Sequence, residues 1–196
     1  MSKSEQTQRL FICFELPQQV KKMVAECQSN LRHVPVKVAW TRVENLHLTL
    51  KFLGDTKESF INKIENELQV IARGIGPIEL VFDKLGAFPN LRQPRILWMG
   101  CSVIPANLAE LAQQINQQLA VYGFSIEKKL FQPHLTLGRV KGGNLQMLRE
   151  ELAGFHVQKI TFKARHLTLM RSELKASGAI YNSLAHIALK FKTVGE

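Results

Sequence analysis

The tetrapeptide HLTL occurs three times in this chain, at 47–50, 134–137 and 166–169. In an extended strand successive side chains alternate faces, so His and Thr of each copy share one face and the two leucines point the other way, into a core. Each copy therefore offers an imidazole beside a hydroxyl on rigid backbone. Two such strands facing each other across a cleft would converge two imidazoles and two hydroxyls. With an ordinary pKa near about 6.5, one imidazole can be neutral and the other protonated around neutral pH. The neutral ring takes a proton from an attacking oxygen and the protonated ring gives one to a leaving oxygen. The hydroxyls donate to the non-bridging oxygens of a phosphodiester. This set needs no metal and no covalent intermediate. It also needs only two histidines, and the chain carries three copies.

The elements that would position these residues alternate strand and helix. Strands are expected at 9–16, 38–40, 46–54, 78–85, 95–101, 133–140, 156–164 and 166–172, with a last one at 185–191 after a turn at Gly178. Helices are expected from Pro17 to about Leu31, over 57–73, from Pro105 to about Tyr122 and over 144–152. The order repeats. Leu10 to His47 spans 37 positions and Ile96 to His134 spans 38; His47 to Glu79 and His134 to His166 both span 32. The spacing reads as a divergent duplication of one α/β unit rather than a solenoid. The first two HLTL copies hold matching places in it. The third falls at the place the first unit gives to "IELV", and His166 reads as a look-alike outside the symmetric pair.

Composition narrows the function classes. The 196 residues carry 26 basic and 16 acidic side chains, a formal charge of +10. Residues 128–196 hold 12 Lys/Arg against 4 Asp/Glu (+8), leaving 14 against 12 (+2) for residues 1–127. A lopsided basic field favours an anionic partner, nucleic acid foremost. No apolar run nears the roughly 20 residues that span a bilayer, and the N-terminus shows no signal-peptide apolar region. A soluble cytoplasmic protein is expected. Cys13, Cys27 and Cys101 are scattered without CxxC spacing and read as buried free thiols. Zinc is a weak rival for the histidines, since HxT lacks a third ligand of matched spacing. No nucleophile elbow or phosphate loop is present.

The blocks "NLHLTLKFLG" and "FQPHLTLGRV" resemble the paired HxTx motifs of the 2H phosphoesterases. Within that superfamily the chain is most similar to the RNA 2′,3′-cyclic phosphodiesterases, also called 2′-5′ RNA ligases. The similarity extends through "RLFICFELP", "LGAFPNLRQPRILWMG" and "SELKASGAIYNSLAHIAL". It implies an α+β fold in which a bilobal duplicated unit forms two antiparallel-rich sheets about a central groove, with helices outside. It implies one domain over 1–196, with lobes at about 10–85 and 95–172 and the 185–191 strand completing the sheet. It implies hydrolysis of an RNA 2′,3′-cyclic phosphate to a 2′-phosphomonoester, and 2′-5′ ligation or cleavage with tRNA halves in the reverse sense. The motif residues are His47, Leu48, Thr49 and Leu50, and His134, Leu135, Thr136 and Leu137. His47 is implied as proton donor and His134 as the base that activates water, with Thr49 and Thr136 holding the phosphate. No cofactor, metal or membrane is implied, and a monomer is expected. Substrate contacts are expected from Arg139, which simple alternation starts on the wrong face unless a bulge intervenes. Phe11 and Phe131 are candidate base platforms; Trp40 and Trp98 read as core or groove-edge residues. Rival functions are a phosphodiesterase for small cyclic nucleotides and a non-catalytic RNA-binding module on the same scaffold.

Overall fold

The leucines of the three HLTL copies (Leu48, Leu50, Leu135, Leu137, Leu167 and Leu169) are all buried in one continuous core. The computed structural model describes residues 6–176 and 178–191. The strands are β1 (Thr7–Glu15), β2 (Val36–Trp40), β3 (His47–Lys57), β4 (Ile78–Phe82), β5 (Lys84–Phe88), β6 (Ile96–Gly100), β7 (His134–Gly143), β8 (Ile160–Ala164), β9 (His166–Lys175) and β10 (Gly178–Ala188). The helices are α1 (Gln18–Asn30), α2 (Ile61–Ala72), α3 (Ala106–Gln118) and α4 (Leu145–Gly154). Pro17 and Pro105 stand just before α1 and α3, and their carbonyls accept from Lys21 N–H and Ala109 N–H. Apolar residues at helical spacing, such as Ile64, Leu68 and Ile71 in α2 and Leu108, Leu111 and Ile115 in α3, are buried. These helices cover the leucine face of the sheet and leave the His/Thr face open. Among the described residues no helix is long and apolar enough to cross a membrane. Cys13, Cys27 and Cys101 are free and buried.

The architecture is the mixed α/β one expected. Most strands join an eight-stranded sheet in the order β10-β9-β1-β3-β7-β6-β5, with β2 also paired to β7; β4 and β8 form a separate two-stranded sheet. The large sheet is hinged at its centre, where β3 and β7 share the single antiparallel pair Leu48↔Leu135. A pseudo-twofold passes through this joint. It relates β3 to β7, β1 to β6 and β9 to β5, and it is consistent with β4 pairing antiparallel to β8. The halves are not contiguous stretches of chain. β9 lies in the β1/β3 half and β5 lies in the β6/β7 half, so the expected lobes at 10–85 and 95–172 exchange a strand each. Residues 1–5 and 192–196 of the expected domain lie outside the described residues.

Three local expectations change. The expected 78–85 strand is two strands, separated at Asp83. There the chain leaves the small sheet for the large one, with Asp83 N–H donating to Gly100 O and its carboxylate accepting from Ser102 N–H at 2.7 Å. Gly178 begins a long strand rather than standing in a turn before 185–191; residues 178–184 pair with β9 but are only half-buried, so they show no clean alternation. The third correction concerns the repeat. The counterpart of "IELVF" (β4) is "ITFKA" (β8), its partner in the small sheet. The third HLTL copy opens β9, whose counterpart is β5, "KLGAF". Equal intervals of 32 residues misled because the connection around α2 is longer than that around α4. His166 still falls outside the histidine pair.

Candidate active site

Each of the two central strands begins at its histidine and is bent by a bulge three residues later. In the β1·β3 ladder Cys13 pairs with Thr49 but Ile12 pairs with Lys51, leaving Leu50 as the extra residue. In β6·β7 Trp98 pairs with Thr136 but Leu97 pairs with Gly138, leaving Leu137 extra. A bulge resets alternation. Residues five positions after the histidine, Phe52 and Arg139, therefore join the histidine and threonine on the open face. The second bulge is tied down from the core side. The Leu137 carbonyl accepts from Thr41 N–H at 2.9 Å and from the buried Gln28 amide at 2.8 Å.

The result is a groove of about 390 Å³ over the central joint, lined by His47, Thr49, His134, Thr136 and Arg139 together with Phe11, Phe52 and Tyr181. The register at Leu48↔Leu135 sets His47 towards Thr136 and Thr49 towards His134. The two imidazoles are anchored alike. His47 Nδ1 lies 2.7 Å from Asn45 O, and His134 Nδ1 lies 2.8 Å from Gln132 O. A carbonyl accepts only, so each Nδ1 carries the proton in the neutral ring and Nε2 is left for chemistry. Burial lowers the pKa of both rings below the ordinary 6.5, and the carbonyl contacts oppose that shift. Aromatic rings hold them in place: Phe11 and Tyr181 at 4.8 and 5.2 Å from His47, Phe88 at 4.9 Å from His134. Burial pushes the Tyr181 phenol up, so it keeps its proton.

The structure thus brings His47, His134, Thr49, Thr136, Arg139 and Phe11 into one groove. Phe11 is only 3% exposed and packs against His47, so it is a wall of the site rather than an open platform. Phe131 is not in the groove: it lines a separate concavity against α3, with Leu50, Lys51 and Asn116. Phe52, 67% exposed, lines the groove instead. Trp98 is buried, and Trp40 is half-buried beneath the Arg32 guanidinium. Asn45, Phe52, Phe88 and Tyr181 escaped the sequence reading. Asn45 and Gln132 share one signal, a carbonyl two positions before a groove histidine. Tyr181 had none, because it reaches His47 from the far strand β10. Among the described residues no three His, Cys, Asp or Glu side chains are grouped to hold a metal ion.

Known proteins resemble this chain in sequence and fold. Residues 14–98 and 101–181 match the family model described as LigT like Phosphoesterase. A protein of Methanothermobacter thermautotrophicus named RNA 2′,3′-cyclic phosphodiesterase is 33% identical over 90% of this chain and 96% of its own length. One of the same name from Methanocaldococcus jannaschii is 33% identical over 88% of this chain and 96% of its own. The crystal structure of E. coli LigT complexed with 3′-AMP superposes with a TM-score of 0.73 at 25% identity, over 94% of this chain and 99% of that one.

Proposed function

The chain belongs to the LigT-like phosphoesterase family, and from that premise we propose that it hydrolyses the 2′,3′-cyclic phosphate at the end of an RNA to a 2′-phosphomonoester. The observation that carries this reading is the matched pair of imidazoles, each held through Nδ1 by a backbone carbonyl and each beside a threonine on the same strand face. Neutral His134 takes a proton from water through Nε2 as the water oxygen bonds to phosphorus. The bond from phosphorus to O3′ breaks, and protonated His47 gives its proton to O3′. One water is consumed, and the two rings exchange protons with solvent to reset. Thr49 and Thr136 donate to the non-bridging oxygens through the transition state, with Arg139 and Arg9 as the cations that line the groove. Phe52 offers an exposed ring to a base. With a 5′ hydroxyl in place of water, the same pair in the same roles forms a 2′-5′ linkage, such as one between tRNA halves, as the bond to O3′ breaks. In the reverse step the roles exchange: the 3′ hydroxyl attacks the phosphorus, the 5′ oxygen leaves with the proton and the cyclic phosphate re-forms. No step draws on a metal or cofactor. A monomer in the cytoplasm suits the reading.

The test is turnover of a short RNA ending in a 2′,3′-cyclic phosphate. His47→Ala and His134→Ala each lose about 10²–10⁴-fold in kcat, the usual worth of a general acid or base. Retention of activity within ten-fold of wild type in either variant would sink the two-histidine mechanism.

A further inference from the structure

The third HLTL copy contributes a threonine where its histidine stands aside. His166 is exposed at the start of β9. Thr168 is 1% exposed, opposite Cys13 of β1. Its hydroxyl donates to Glu15 Oε1 at 2.8 Å, and His186 Nδ1 lies 3.3 Å from the same oxygen. Glu15 is in turn the cross-strand partner of His47. Directly opposed residues project to one face with Cβ atoms about 4.5–5.5 Å apart, and Glu15 and His47 line one cavity beside the groove.

The pseudo-twofold supplies an internal control. The cross-strand partner of His134 is Gly100, and the counterpart of Thr168 is Gly86, opposite Trp98. A Cβ at Gly86 would fall 2.2 Å from the Trp98 ring, and one at Gly100 would fall 2.9 Å from it. Where the first half places a hydroxyl-bound carboxylate, the second places an indole over two glycines. The two histidines are equal in anchoring, and only His47 has a carboxylate as its cross-strand partner.

We propose that Glu15, held by Thr168, is a positioning residue that divides the labour between the two histidines, its carboxylate favouring imidazolium at His47 while His134 has no such partner. The proposal rests on the two-histidine reading above. The other groups facing His47 are Arg9 from β1, Lys21 from α1, Arg42 and Glu44 from the turn before β3, Arg139 from β7, Tyr181 from β10 and His134 across the groove. The Lys21 ammonium is bound to Glu44 O at 2.7 Å. Burial, Lys21 and His134 all push the His47 pKa down; Glu15 is the charged side chain that opposes them. The substrate phosphate, once bound, acts in the same sense as Glu15.

The experiment titrates both histidines by NMR in wild type and Glu15→Gln, a change that keeps shape and removes charge, and records kcat/KM against pH for both. The His47 pKa falls by about half a unit or more while that of His134 stays. The alkaline limb of kcat/KM, set by the proton donor, moves to lower pH by a similar amount, and the rate at neutral pH drops about 3- to 10-fold. Thr168→Val moves the same limb the same way by less, since the carboxylate remains but loses its hydroxyl donor and keeps only His186. An unmoved His47, an equal shift of both rings, or a shift confined to the acid limb overturns the proposal. The NMR arm reads Glu15 without turnover, so it separates this failure from that of the two-histidine mechanism, which the alanine variants test.

Discussion

Around His47 the neighbouring strands carry Glu15, Cys13 and Thr168; at the matching positions around His134 they carry Gly100, Trp98 and Gly86. The strands, the bulges and the carbonyl bonds to Nδ1 are duplicated. The surroundings are not. Both rings pack against aromatic side chains, Phe11 and Tyr181 on one side and Phe88 on the other, but only His47 has a hydrogen-bonded carboxylate as its cross-strand partner. Duplication accounts for how two imidazoles come to line one groove. Divergence of the flanking strands accounts for how two equally anchored imidazoles come to have unequal surroundings. The same asymmetry reaches the residue after each bulge, exposed phenylalanine on one side and arginine on the other.

The comparison can be broken at several strengths. Where the halves agree, equal losses are expected: Thr49→Val and Thr136→Val each lower kcat by about 10–10²-fold with little change in KM, measured on the cyclic-phosphate RNA. A loss in only one would show that one hydroxyl holds the phosphate alone. Where the halves differ, Gly86→Ala drives a methyl into the Trp98 ring and costs about 1–3 kcal/mol of stability in urea unfolding; an unchanged midpoint would mean the indole is free to move. The free-enzyme profile follows from the lowered pKa of both rings. Activity falls at low pH as His134 gains a proton and at high pH as His47 loses one. The maximum of kcat/KM therefore lies on the acid side of 6.5, the ordinary imidazole value. The maximum of kcat lies higher, because the bound phosphate stabilises imidazolium. A flat profile from weakly acid to alkaline pH would contradict the pairing. The smallest effect is His166→Ala, within a few-fold of wild type; a loss as deep as that of His47→Ala would give the third copy a catalytic ring after all.

Much of this was legible in the chain. Period-2 alternation placed the leucines of all three copies in the core and the histidines and threonines of the first two on the open face. Matched intervals picked out His47 and His134. The intervals failed one strand later, because a length difference around α2 shifted β4 against β9, and only strand pairing restored the equivalence of β4 with β8. Arg139 was in doubt because alternation ignores bulges; the insertion at Leu137, secured by Gln28 from 109 residues away, turns it into the groove. Phe131 was misplaced because proximity in sequence to His134 says nothing about which side of the β7 entrance a ring takes. Glu15, Thr168 and Tyr181 went unread for a common reason. Alternation tells which face a residue takes but not which strand lies alongside, and their strands, β1, β9 and β10, meet β3 only through the sheet order.

The central claim, that His47 protonates O3′ while His134 activates water without help from a metal, is tested most directly by one measurement. An RNA ending in a 2′,3′-cyclic phosphate is hydrolysed in excess EDTA and the product phosphate is identified by ³¹P NMR. The account predicts a 2′-phosphate formed at the same rate as without EDTA; loss of turnover in EDTA, or a 3′-phosphate, would contradict it.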